Sequence, residues 1–93
     1  AKDYDTVDRI SAEEFAQRFR TENPLVIDVR KKSEFDSEHI EGAINIPLNS
    51  INNHLAEIPK DKPFILHCAG GYRSMIAASI LKQRGWDNFV DVE

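Results

Sequence analysis

Two short apolar runs, each introduced by a proline, constrain this chain most: Leu25-Val26-Ile27-Asp28-Val29 after Asn23-Pro24, and Pro63-Phe64-Ile65-Leu66-His67 after Lys60-Asp61-Lys62. Both are continuous rather than alternating, which is how a strand reads when both of its faces are covered. Strands of that kind belong to parallel sheets, whose connections cross over through helices. Asp28 sits inside the first run and needs a partner, because an unpaired buried carboxylate is costly.

The segments around these runs supply the rest of the pattern. Tyr4 to Ile10 alternates weakly and predicts a first short strand anchored by Val7 and Ile10. Ser11-Ala12-Glu13-Glu14 is a capping box, and Phe15, Ala16 and Phe19 give a helical apolar face through about Thr21. Ser33 is placed to cap a short helix over Glu34 to His39, ended by Gly42. Ala43-Ile44-Asn45-Ile46 reads as a short strand closed by Pro47. Asn49 or Ser50 opens a helix through about Glu57, with Ile51, Leu55 and Ile58 inward and Pro59 as terminator. Ser74 to Arg84 is helical until Gly85 stops it. Met75, Ile76, Ile80 and Leu81 are expected to face the sheet there, while Ala77, Ala78 and Ser79 permit close packing. Phe89-Val90-Asp91-Val92 is a last strand. The expected fold is α/β: a small parallel sheet, five-stranded or nearly so, with helices on both faces and right-handed crossovers. Residues 1–93 are expected to form a single domain, without internal repeat or linker.

Composition excludes several function classes. The one cysteine allows no internal disulfide and, with no Cys/His cluster beside it, no metal site is expected. The net charge of −4 argues against nucleic acid or an anionic membrane as partner. No run approaches membrane-spanning length and no signal-peptide pattern opens the sequence, which fits a soluble protein. A reactive thiol suits a reducing cytoplasm, the expected location. The chain opens on Ala1 rather than Met, as a piece of a longer protein would.

The chemistry concentrates where the second apolar run ends. Cys68 falls at the carboxyl edge of a strand, where open parallel sheets bind their ligands. Ala69-Gly70-Gly71-Tyr72-Arg73 then leads into a helix. Two glycines let the backbone curl so that successive N–H groups point inward as an anion-binding nest. The helix N-terminus adds partial positive charge, and Arg73 a permanent cation. All three favour thiolate over thiol and predict a depressed pKa and a good nucleophile. Arg73 has two readings, a binder of an anionic substrate or an ion-pair partner at the end of the loop. Tyr72 either shapes access or is a partly exposed loop aromatic. His67 should point away from the thiol and be structural. His39 fits a helix end, His54 a helix surface and Trp86 the core.

His67-Cys68-Ala69-Gly70-Gly71-Tyr72-Arg73-Ser74 resembles the active-site loop of rhodanese-like sulfurtransferase domains. Val26-Ile27-Asp28-Val29-Arg30 followed by Glu34-Phe35, and His39-Ile40-Glu41-Gly42-Ala43-Ile44-Asn45-Ile46-Pro47, resemble two further motifs of that family, in its order and spacing. The resemblance spans roughly Arg9 to Glu93. It implies transfer of sulfane sulfur from a donor such as thiosulfate to a thiol or cyanide acceptor, through a persulfide on Cys68. In this reading Ala69, Gly70, Gly71, Tyr72 and Arg73 hold the persulfide, Asp28 and Arg30 brace the loop, and no cofactor is needed. The loop also resembles that of rhodanese domains joined to metallo-β-lactamase-fold persulfide dioxygenases, so a fused or partner domain and a persulfide-carrier or docking role stay open. Family members usually continue past the last strand with a glycine turn and a tryptophan-bearing helix, which this sequence lacks. Cysteine phosphatases resemble the loop too, but place one more residue between Cys and Arg, a wider cradle for a phosphoryl group. They also need a general acid, for which Asp28 or Asp36 could be proposed.

Overall fold

Phe64–His67 (β4) is the middle strand of the sheet, and Leu25–Asp28 (β2) runs parallel beside it with Leu25 opposite Phe64 and Asp28 opposite His67. Phe89–Val92 (β5) pairs with the other side of β4. Arg9–Ile10 (β1) and Ile44–Asn45 (β3), two residues each, form the edges. The computed structural model describes residues 8–93, and its five parallel strands lie in the order β1-β5-β4-β2-β3. Of the expected first strand, Tyr4 and Val7 lie outside the described residues. Val26, Ile27, Phe64, Ile65 and Leu66 are all buried, as strands covered on both faces require.

Helices cover both faces. Ala12–Glu22 (α1) starts where the Ser11 hydroxyl accepts the Glu14 N–H, and ends at Asn23 in the left-handed region, φ 49°, just before Pro24. It lies over a small cluster of Ile10, Ile65 and Val92, onto which Phe15 packs. Tyr72–Gln83 (α3) covers the opposite face, where Ala77, Ala78 and Leu81 join Ile27, Phe64, Leu66 and Phe89 in the main core. Trp86 is in that core as expected, its indole N–H donating to Pro59 O at 3.0 Å.

Three local expectations are corrected. Lys32–Ser37 (α2) is capped at Lys31 rather than Ser33 and ends at Ser37 rather than His39; the Glu34 carboxylate turns back to accept the Lys31 N–H at 3.1 Å. The expected helix to Glu57 is instead two 3₁₀ turns, Leu48–Asn53 and Leu55–Glu57; Ser50, at φ −126° and ψ 16°, leaves the helical path, yet Ile51 and Ile58 still point inward. Finally, α3 starts at Tyr72 rather than Ser74, since the Gly71 carbonyl already accepts the Met75 N–H. Its inward stripe is therefore Ser74, Ala77, Ala78 and Leu81, at helical spacing, while Met75 is exposed and Ile76 only half-buried.

Because all five strands are parallel, the ends of β1, β2, β4 and β5 meet at one edge of the sheet. Arg9, Asp28, Cys68 and Asp91 are all at or next to that edge.

Candidate active site

Cys68 follows the last residue of β4 and faces the side of the sheet that α3 covers. Its sulfur accepts the N–H of Gly71 and the N–H of Ser74, each at 3.2 Å. The second donor is one of the free amides of the first turn of α3, so the helix places its positive end on the sulfur. Burial pushes the Cys68 thiol up. That effect is outweighed by the polar groups facing the sulfur, the Ser74 side chain and the N–H groups of Ser74, Gly71 and Gly70, and the net pKa lies below its ordinary value.

One of the two loop glycines does the curling. Gly71 has φ +83°, and a Cβ there would stand 2.6 Å from the carbonyl carbon of Glu93. Only a residue without a side chain lets the loop lie against the end of β5. Gly70 is not in the left-handed region, and a Cβ added to it would meet nothing within 4 Å. Ala69 and Gly70 are solvent-exposed, and Tyr72 has 68% of its surface exposed. Tyr72 and Arg73 lie in the first turn of α3 rather than in a loop.

Three ion pairs surround this centre. Arg73 is turned to Glu34 of α2, at 2.6 and 3.3 Å. This geometry is that of the ion-pair reading. Arg73 in turn holds the Glu34 carboxyl below the usual carboxylate range. Asp28, almost fully buried, finds the partner its position demanded: Arg30 donates Nε and a terminal nitrogen to both carboxylate oxygens at 2.9–3.1 Å, and its backbone N–H binds Oδ1 at 2.9 Å. Arg30 also donates to Glu38 O at 2.8 Å, tying the end of β2 to the end of α2. The third pair joins Arg9 of β1 to the buried Asp91 of β5 through Nε, at 3.0 and 3.1 Å.

His67 lies on the opposite face from Cys68, stacked on Phe15 with ring centroids 5.7 Å apart, as expected of a structural residue. Burial pushes its imidazole pKa down. His39 stacks on Phe35 just past the end of α2, and His54 bonds Glu57 at the surface.

The sequence reading gave Ser74 and Glu34 only as members of resembling motifs and assigned no role to Arg9 or Asp91. Ser74 carried a signal, as the only serine in the first turn of the helix after the loop. Asp91 carried the same signal as Asp28, an acid inside an apolar strand. Nothing local pairs Arg9 with a residue 82 positions away.

Known proteins are similar to this chain in sequence and fold. The rhodanese-like domain family matches residues 11–93. A sulfurtransferase of Allochromatium vinosum is 32% identical over 87 residues, an overlap of 92% of this chain and 81% of the relative. Thiosulfate sulfurtransferase GlpE of Pseudomonas syringae pv. syringae is 32% identical over 80 residues, covering 86% of this chain and 76% of the relative. Among solved structures, SSP1007 from Staphylococcus saprophyticus superposes with a TM-score of 0.84 at 32% identity, over 92% of this chain and 86% of that one. By the family match over residues 11–93 and its identity to these relatives, the chain belongs to the rhodanese-like domain family.

Proposed function

We propose that this protein is a sulfurtransferase that moves sulfane sulfur from thiosulfate to a thiol or cyanide acceptor through a persulfide on Cys68. The observation that carries this reading is the seating of Cys68 Sγ on two backbone N–H groups at the head of α3. Membership of a family with sulfurtransferases supports sulfur transfer in general, and the relative named for thiosulfate supports that donor.

The reaction balances with few groups. The Cys68 thiolate attacks the outer sulfur of thiosulfate, a new S–S bond forms, the donor S–S bond breaks, and sulfite departs with its electron pair. The leaving group is already stable as an anion, so no general acid is required. The negative terminal sulfur of the persulfide then lies over the loop, where Gly70, Gly71 and the first turn of α3 supply donors, a preorganised electrostatic role. An acceptor thiolate or cyanide attacks that terminal sulfur and regenerates the Cys68 thiolate. A phosphatase reading has less support: four residues separate Cys68 from Arg73, Asp28 is consumed by Arg30, and Asp36 pairs with Lys32 at the surface.

Mass spectrometry of the intact protein tests the proposal. Thiosulfate should add about 32 Da, the mass of one sulfur, and cyanide should remove it; a Cys68→Ser variant should gain nothing. A reduced, alkylatable Cys68 that gains no mass from thiosulfate would refute thiosulfate as donor.

A further inference from the structure

The three arginines paired around this centre do not have the same kind of partner. Arg30 binds both oxygens of Asp28, whose side chain is 1% exposed, and Arg9 binds both oxygens of Asp91, whose side chain is fully buried. An anion from solution cannot take either place without stranding a carboxylate in the core. Both arginines are tied to backbone as well, Arg30 to Glu38 O at 2.8 Å and Arg9 to Gly71 O at 2.7 Å. Arg73 differs. Its partner Glu34 has a side chain that is 38% exposed, so releasing it returns a carboxylate to water. Its two contacts with Glu34 are unequal, at 2.6 and 3.3 Å. Arg73 also directly precedes Ser74, whose N–H binds Cys68 Sγ. Glu34 has an anchor of its own, because its Oε1 accepts the Lys31 N–H at 3.1 Å and keeps the carboxylate beside the arginine.

We propose that Glu34 is a specificity-determining residue that acts through Arg73: it occupies the guanidinium in place of an anionic sulfur donor and so weakens the hold of the site on dianions such as thiosulfate. This rests on the proposed function, in which Cys68 takes sulfur from a small donor. A dianion approaching the thiol meets Arg73 already neutralised. To use that cation it must displace a carboxylate held beside it, and a competitor attached to the same chain acts at high effective concentration. Once displaced, the carboxylate still repels a second anion close by. A donor that carries its transferable sulfur on an uncharged group meets neither obstacle. Thiosulfate is therefore held weakly, and uncharged persulfides are favoured relative to it. Of the three guanidiniums only Arg73 can respond in this way, since the partners of Arg9 and Arg30 are closed to solvent.

Glu34→Gln isolates the charge, because glutamine at this position can still reach back to the N–H that opens α2. Thiosulfate is titrated at constant ionic strength into protein carrying Cys68→Ala, where it cannot react, and the amide resonances of Gly70, Gly71 and Ser74 are followed by NMR. Glu34→Gln should lower Kd about fivefold, the effect of removing one charge near a bound dianion in a screened, exposed site. In an Arg73→Met background the same substitution should change Kd by about twofold or less, since no guanidinium is left to release. A merely structural role for Glu34 would loosen the site and raise Kd, so tightening is the distinguishing sign. If Glu34→Gln does not fold, Glu34→Ala, alone and with Arg73→Met, carries the test. A folded Glu34 variant with a Kd higher than the parent or within about twofold of it, or a gain undiminished by Arg73→Met, would overturn the proposal. Binding is read without turnover. Failure of the Cys68 protein to form a persulfide would therefore refute the proposed function and leave this comparison standing.

Discussion

Replacing Gly71 by alanine should damage this protein far more than the same change at the adjacent Gly70. At Gly71 two costs combine. The residue has φ +83°, a left-handed conformation that costs a residue with a side chain roughly 1–2 kcal/mol. The new Cβ would also stand 2.6 Å from the Glu93 carbonyl carbon and 3.1 Å from the Arg9 guanidinium. The first of these neighbours is backbone, so the loop or the end of β5 must move, an overpacking cost of about 1–3 kcal/mol. The sum is about 2–5 kcal/mol, a large share of the ~5–15 kcal/mol that stabilises a domain of ordinary size. At Gly70 a Cβ meets nothing within 4 Å and the backbone is not left-handed, so alanine should change stability by less than about 0.5 kcal/mol. Urea unfolding followed through the single tryptophan, the buried Trp86, distinguishes the two. With a slope near 1 kcal/mol per molar urea, the Gly71→Ala midpoint should fall by roughly 2 M or more. Equal stability of the two variants, within about 0.5 kcal/mol, would show that the loop does not rest on β5 as described.

Two further outcomes follow from the groups around the site. His67 has its pKa pushed down by burial, so the folded state resists protonation while the unfolded chain accepts it near the ordinary 6.5. Stability is thus full above pH 6.5 and declines as pH falls below it; His67→Phe, which keeps a ring against Phe15, should abolish that decline in urea midpoints measured from pH 8 to pH 5. Asp28→Asn removes the counter-charge of Arg30 from a nearly inaccessible position and should cost about 3 kcal/mol, read as a fall in the thermal midpoint; a change below about 0.5 kcal/mol would show that the pair is dispensable.

Much of the fold was legible because its strands are short, apolar and set off by breakers. Leu25 to Val29, Pro63 to His67 and Phe89 to Val92 each predict a strand within a residue of where it lies. The stretch after Pro47 was misread because its apolar spacing suits a helix, while the kink at Ser50 is set by how Ile51 and Ile58 reach the core. On α3, Ile80 and Leu81 pack on the core as expected, whereas hydropathy wrongly favours Met75 and Ile76 as inward residues. What decides that face is the start of the helix, fixed by the positive φ of Gly71, which brings Ser74, Ala77 and Ala78 onto the sheet. Cys68 and its loop were legible because thiol, glycines and helix start are contiguous. Glu34, Arg9 and Asp91 reach the site from other elements, and charge alone did not separate them from the acids and bases that stay in solvent.

The way the loop is supported ties chemistry to the completion of folding. Gly71 is held by Arg9, 62 residues earlier in the chain, and by the backbone after β5, and Arg9 and Asp91 meet only when the first and last strands lie side by side. Those contacts have the longest sequence separation in the site and the greatest loop-closure cost, which puts their formation at the end of assembly. Until then the Gly71 N–H that binds Cys68 is not held in place by Arg9, and the thiol should react more slowly with electrophiles. The onset of its reactivity during refolding therefore serves as a clock for the closing of the sheet.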